Sequence, residues 1–294
     1  MNKKVKNNKQ PKPLKDLTLL DRFLFDMAMS KPEICQNVLS IIFNDREVAP
    51  IHFGIVEKTL EPYYNSRAVR LDLLAIDENA VVYDAEAQKE NKGNCLLRRR
   101  SRVYQSHIDV NLLEPGETDF GKLNDVYVIF IAPFDLFGQN KYMYTFRMVC
   151  DESPDISLND GAVRIFLNTR GENDEDVSPE LVEMLHYIEE TSNLNHELHS
   201  SRVRELANQI EKLKSNQEVG VKYMRFWEEM TYAKDEARAE GRAEGKTEMI
   251  YESVRNLQES LNFTLEQALE ALKVTDEEWK KCVSFINKEE NNIE

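Results

Sequence analysis

The sequence predicts an α/β protein with an all-helical C-terminal extension, and three observations carry that expectation. From residue 17 to 172 the apolar pattern reads helix, strand, strand, strand, helix, strand. Val126–Ala132, VYVIFIA, is apolar on both faces, as in a central strand covered on both sides. After Gly171 the pattern is helical almost throughout.

The elements follow in order. Residues 1–16 form a basic arm rich in Lys, Asn, Gln and Pro, a composition that does not form a core. A first helix is expected from Asp16–Thr18, carrying Leu20, Phe23, Leu24, Met27 and Ala28 at helical spacing. Pro32 suits the first position of a second helix through Ile34, Val38, Leu39, Ile41 and Ile42. Strands are expected at 51–58, 69–76 and 81–88, and a helix at 96–112 with Leu97, Tyr104, Ile108 and Leu112 on one side. Beyond Val126–Ala132, strands are expected at 142–149 and 163–167. Ser178-Pro179-Glu180 opens a helical extension over 173–232. The stretch 233–294 holds a four-residue charged repeat, DEARAEGRAEGKTE, and two helix starts of capping-box type at Thr264 and Thr275. On a helix, Ala237, Gly241 and Gly245 make a ridge of small residues between acidic and basic ridges. That pattern fits a homodimer through the C-terminal helical region, and equally a solvated linker weakened by two glycines.

Composition bounds the function classes. With 41% hydrophobic and 31% charged residues over 294 positions, the chain reads as a soluble protein, and no run approaches a membrane span. Cys35, Cys95, Cys150 and Cys282 lie far apart with no CxxC pair, which argues against a disulfide or zinc framework and for a reducing, cytoplasmic setting. His196 and His199 lack a third metal ligand nearby. A net charge of −15 argues against nucleic acid only on average. Six lysines and no acid occupy residues 1–15, Arg98, Arg99, Arg100 and Arg102 form a second basic cluster, and the acidic surplus falls mainly after residue 170. Screening limits each exposed charge to about 8–10 Å at physiological salt, so local basic patches still meet phosphate.

The stretch from Arg70 to Gln88, RLDLLAIDENAVVYDAEAQ, carries the candidate chemistry. Two β-favouring runs flank a turn at Asp77-Glu78-Asn79-Ala80. A three-residue loop of Glu78, Asn79 and Ala80 pairs Asp77 with Val81, and counting back sets Asp72 opposite Glu86. Asp84, Glu86 and Gln88 then share a face with Asp72. Carboxylates on adjacent strands can hold a hard divalent cation, and such a cation suits metal-assisted hydrolysis of a phosphodiester. The spacing alone equally describes a surface hairpin with its polar residues turned to water.

Context favours the metal reading. Leu17-Thr18 with Asp21-x-Phe23-Leu24-Phe25 comes first, then Ser66-Arg67-x-Val69-Arg70-Leu71-Asp72 and Val82-Tyr83-Asp84-x-Glu86-x-Gln88. Arg100-Ser101-Arg102-x-Tyr104-Gln105-Ser106-x-Ile108-Asp109, Tyr127–Ile131, Phe134-Asp135-x-Phe137-Gly138 and Tyr144-Thr145-Phe146 follow in order. Together these resemble the bacterial recombination-promoting nuclease/transposase branch of the PD-(D/E)XK nuclease superfamily, from about residue 17 to about residue 232. The resemblance implies a restriction-endonuclease-like αβββαβ core with a mixed sheet, and a magnesium-dependent DNA endonuclease, with Mn²⁺ as an alternative cation. It implies that Asp72 and Glu86 ligate the metal, that the Ala87 carbonyl completes the shell, and that Gln88 stands where the superfamily usually has lysine. A glutamine offers only neutral hydrogen bonds to a water, so catalysis would lean on the metal. The chain departs from the branch at Ala87, where a longer apolar residue is usual, and at Asp26.

Arg99 and Arg102, at the start of the helix after the hairpin, are candidate phosphate contacts, as is Arg70, which has the parity of Asp72. Asp84 and Asp21 are candidate accessory acids, and Tyr104 reads as core. The rival expectation is a catalytically silent relative that binds DNA or protein through the same fold, and Gln88 is the residue that supports it.

Overall fold

The computed structural model describes residues 10–44, 48–60, 69–91, 93–113, 116–192 and 197–290, leaving aside the side chains at 53–60, 69, 70, 94 and 285–290. The chain divides into two compact units, Met1–Met224 and Arg225–Glu294.

The first unit is α/β. Helices α1 (Arg22–Met29) and α2 (Pro32–Ile42) precede strands β1 (Ile51–Leu60), β2 (Val69–Asp77) and β3 (Val82–Ala87). Helix α3 (Asn94–Leu112) then leads to β4 (Val126–Ala132), β5 (Met143–Phe146) and β6 (Ala162–Asn168), followed by α4 (Pro179–Glu190) and α5 (Ser201–Ser215). The six strands form one open mixed sheet in the order β1-β2-β3-β4-β6-β5. β1, β2 and β3 run antiparallel, β3, β4 and β6 run parallel, and β5 returns antiparallel to β6. α3 is the crossover that the parallel pair β3 and β4 requires.

All seven residues of β4 are buried, in accord with its unbroken apolar run. Alternation along the strands sorts the core into two faces. Leu74, Val82, Val128, Phe130 and Phe166 pack with Leu97, Tyr104 and Ile108 of α3. On the other face Tyr83 and Tyr127 stack at 5.6 Å, and Phe43 at the end of α2 meets both rings edge-on.

α1 starts at Arg22, later than the expected Asp16–Thr18. Leu14–Asp16 form only a short 3-10 turn, and the Thr18 amide donates to the Asp21 carboxylate at 2.9 Å. That local bond competes with helix formation while Leu17, Leu19 and Leu20 are still buried. The expected strand at 142–149 ends at Phe146. α4 begins where Ser178 predicts, with the Ser178 hydroxyl accepting from the Leu181 amide. The stretch expected as a helical extension over 173–232 is divided, because α4 and α5 pack on α2 within the first unit.

The second unit is helical. The long helix α6 (Gln217–Leu261) enters it, and α7 (Leu265–Leu272) and α8 (Asp276–Glu290) follow. Thr264 and Gln267 form the reciprocal capping box, and Thr275 and Glu278 exchange the equivalent bonds. Val254, Ala268 and Leu269 make its small core, with Tyr251 and Trp279 stacked at 5.8 Å. Ala237, Gly241 and Gly245 are exposed, and a Cβ added at either glycine would meet nothing within 4 Å. Among the described residues no helix is long and apolar enough to cross a membrane.

The β2–β3 turn sets the register that the site depends on. The Asp77 amide donates to the Val81 carbonyl at 3.1 Å, and Ala80 takes a left-handed φ of 61° to close the loop. One Asp77 oxygen accepts from the Asn79 and Val81 amides at 2.9 Å each, and the other accepts from the Tyr83 hydroxyl at 3.0 Å. Asp77→Ala strands all three donors and should cost about 2–3 kcal/mol of stability. Urea denaturation checks this, and an unchanged midpoint would contradict a holding role for Asp77.

Candidate functional site

The hairpin pairs Ile76 with Val82, Ala75 with Tyr83, Leu74 with Asp84 and Leu73 with Ala85. One further step along that register brings Asp72 to Glu86, and the Asp72 amide donates to Glu86 Oε1 at 2.7 Å. Asp84 lies on the same face two residues before Glu86 and has no exposed surface. Glu86 is 1% exposed and Asp72 7%.

α3 covers this face and brings Arg100 to it. Arg100 Nη2 lies 2.5 Å from Glu86 Oε2, Nη1 donates to Gln88 Oε1 at 2.9 Å, and Nε donates to the Tyr104 hydroxyl at 2.7 Å. Its guanidinium also sits over the rings of Tyr104, at 4.7 Å, and Phe130, at 5.6 Å. From α1, Arg22 Nε lies 3.6 Å from both Asp72 Oδ1 and Asp26 Oδ2. Among the described residues the cluster thus gathers four carboxylates, Asp26, Asp72, Asp84 and Glu86, and two guanidiniums, Arg22 and Arg100.

The imbalance shows in the titration of the acids. Burial first, then the charges of Glu86 and Asp72, push the Asp84 carboxyl well above the usual carboxylate range, against the pull of Arg100. Burial and the Asp72 charge push Glu86 up to about 8, opposed by Arg100, the Asp72 amide and Arg22. Among the described residues neither Asp84 oxygen has a hydrogen-bond partner. A buried carboxyl without a partner is costly in either protonation state, and perturbed acids of this kind concentrate at functional sites.

The donor chemistry fits a hard divalent cation, since oxygen ligands from carboxylates are what such ions take and Asp84 still lacks a partner. The arrangement is not a ready cage. Among the described residues no group of three or more His, Cys, Asp or Glu side chains is set to hold a metal ion. Both Glu86 oxygens are engaged, one by the Asp72 amide and the other by Arg100.

The other expected residues are placed as follows. Gln88 meets the cluster through Arg100 and donates to the Glu90 carbonyl at 3.0 Å. Ala87 ends β3, half-buried. Arg99 and Arg102 are exposed on α3, and the Arg70 side chain lies outside the described residues. Asp21 does not join the group. It is held by Lys89 at 2.5 Å and Lys12 at 3.4 Å. Burial raises its pKa, but the bonds from Lys89 and Thr18 and the charges of Lys89 and Lys12 bring it below the usual value. The first-helix acid that shares a guanidinium with Asp72 is Asp26.

The sequence places Arg100 in the basic cluster but does not foresee its bond to Glu86, and it singles out neither Arg22 nor Asp26 as a site residue. For Arg100 a signal existed, because it lies three residues after Leu97 and four before Tyr104, on the apolar side of α3. For Arg22 and Asp26 the signal is weaker, since only the start of α1 decides which side they face.

Comparison with family models, with curated proteins and with solved structures finds no match to this chain. The case for function therefore rests on the site itself.

The buried acids predict a pH dependence. A folded state that keeps protons on Glu86 and Asp84 after the unfolded chain has released them loses stability as pH rises. In cation-free buffer the unfolding free energy should fall from the ordinary carboxylate range towards the Glu86 value of about 8. Asp84→Asn mimics the protonated carboxyl and should flatten that slope. Chemical denaturation across this range checks it, and identical slopes for wild type and variant would contradict the assignment.

Proposed function

We propose that the protein is a magnesium- or manganese-dependent DNA endonuclease of the PD-(D/E)XK type, hydrolysing phosphodiester bonds in DNA recombination. The observation that carries this reading is the convergence of Asp72, Asp84 and Glu86 on one buried face, where Asp84 has no hydrogen-bond partner among the described residues. The sheet supports it as well: an antiparallel trio that runs into parallel strands across α3 is compatible with a restriction-endonuclease-like core. Asp72, Glu86 and the Ala87 carbonyl would hold the cation. The cation would supply a water of lowered pKa and a counter-charge for the phosphate.

The chain's own residues set the rest. Gln88 can accept from or donate to a water but cannot stabilise a hydroxide by charge. Arg99 and Arg102 are exposed on the helix that covers the site, where they can position a phosphodiester backbone without reading bases. Lys12, at the described end of the basic arm, adds sequence-independent attraction.

One observation favours a second reading, a catalytically silent DNA- or protein-binding module. Arg100 already bonds both Glu86 and Gln88, so the two residues nearest the chemistry are satisfied without a cation.

Cleavage of supercoiled plasmid separates the two. The nuclease reading predicts nicking with Mg²⁺ or Mn²⁺, none with EDTA, and loss of cleavage in Asp72→Ala and Glu86→Ala while both remain folded. Undiminished cleavage in either variant would remove this site from consideration. DNA binding without any cleavage would favour the silent module.

A further inference from the structure

Arg100 occupies a place that the cation reading leaves unexplained. Its guanidinium lies against the carboxylate that would hold the metal, so a divalent cation arriving at Glu86 meets a like charge already seated there. The seat is well defined, by Gln88, by the Tyr104 hydroxyl and by two aromatic faces. Yet the Arg100 side chain remains 32% exposed, whereas that of Glu86 is 1% exposed. The Arg100 side chain is thus partly open to solvent, while the carboxylate it meets is not.

A guanidinium fork matches a phosphate as well as it matches a carboxylate. A phosphodiester that reaches this partly open side chain can therefore compete with Glu86 for the same donors. Resting on the cation site proposed above, we propose that Arg100 is an exchange latch: a phosphodiester draws its guanidinium from Glu86 and so opens that carboxylate to a divalent cation. Nucleic acid and cation then bind cooperatively, and neither binds well alone. Arg100 is a positioning residue in this scheme, because it controls access to Glu86 and takes no part in bond making. Linkage requires reciprocity, so the factor by which DNA strengthens cation binding equals that by which the cation strengthens DNA binding.

The latch also accounts for Gln88. A lysine at that position would set a second cation beside Arg100, whereas the glutamine oxygen accepts from it and steadies the closed state.

Calorimetric titration of the full chain with Mn²⁺ tests this, with and without a short DNA duplex carrying phosphorothioate linkages, after subtraction of the duplex alone. In the wild type the duplex should tighten Mn²⁺ binding by about tenfold or more. In Arg100→Gln, Mn²⁺ alone should bind about as tightly as it does to the wild type with duplex, and the duplex should add little. Tyr104→Phe removes one anchor and leaves the core ring in place, so it serves if Arg100→Gln does not fold, and it should tighten Mn²⁺ binding partway. Mn²⁺ affinity that neither variant raises, or a duplex effect that survives intact in Arg100→Gln, would overturn the latch while leaving the cation site standing. Wild-type Mn²⁺ binding that Glu86→Ala leaves unchanged would overturn the cation site itself, and the latch with it.

Discussion

The Glu86 carboxylate joins three parts of the fold. One oxygen accepts from the Asp72 amide of β2, the other meets Arg100 of α3, and the residue itself belongs to β3. The parallel neighbour of Glu86 is Phe130 of β4, whose ring also lies beneath Arg100. Hairpin register, helix placement and central strand thus meet at one side chain. A slip of one residue in the hairpin would turn Asp72 to the opposite face and dissolve the cluster. The Asp77 clamp matters to function for that reason, although Asp77 lies at the far end of the same strand.

The cluster is a poor way to gain stability. Two unit charges 4 Å apart interact by about 4 kcal/mol at an effective dielectric of 20, and the cost of taking them out of water commonly cancels the gain. Here the balance is worse, since Asp84 brings a carboxyl that has no hydrogen-bond partner among the described residues, and burial with the charges of Glu86 and Asp72 disfavours its ionisation. Apolar residues at these positions would pack the face under α3 at lower cost. On the proposed reading, a divalent cation would match the oxygen donors gathered here. Arg100 and Arg22 are counter-ions to Glu86 and Asp72.

Much of this arrangement was legible in the sequence, because short-range rules decide it. The loop length between Asp77 and Val81 determines the pairing, and with it the face shared by Asp72, Asp84 and Glu86. The apolar run of β4 and the capping residues Ser178, Thr264 and Thr275 are local signals of the same kind. What escaped depends on tertiary geometry. The Asp21 carboxylate forms a local turn with Thr18 and pairs with lysines instead of joining the site, while Asp26, one helical turn further on, shares Arg22 with Asp72. Arg98, Arg99, Arg100 and Arg102 stood out together as cations, yet that Arg100 meets Glu86 needed the helix phase to be combined with the hairpin register. A boundary was expected between residues 232 and 233, where the charged repeat begins, and the division falls after Met224 instead, inside the continuous helix α6.

The central claim is that the buried acids form a cation site which Arg100 closes. The most direct measurement is a crystal structure of the full chain grown with Mn²⁺ and a short DNA duplex, with diffraction recorded at the manganese absorption edge. The account predicts an anomalous peak in contact with the Asp72 and Glu86 carboxylates and an Arg100 guanidinium moved from Glu86 to a phosphate. DNA bound elsewhere, with no peak at Glu86 and Arg100 still seated on it, would contradict the account.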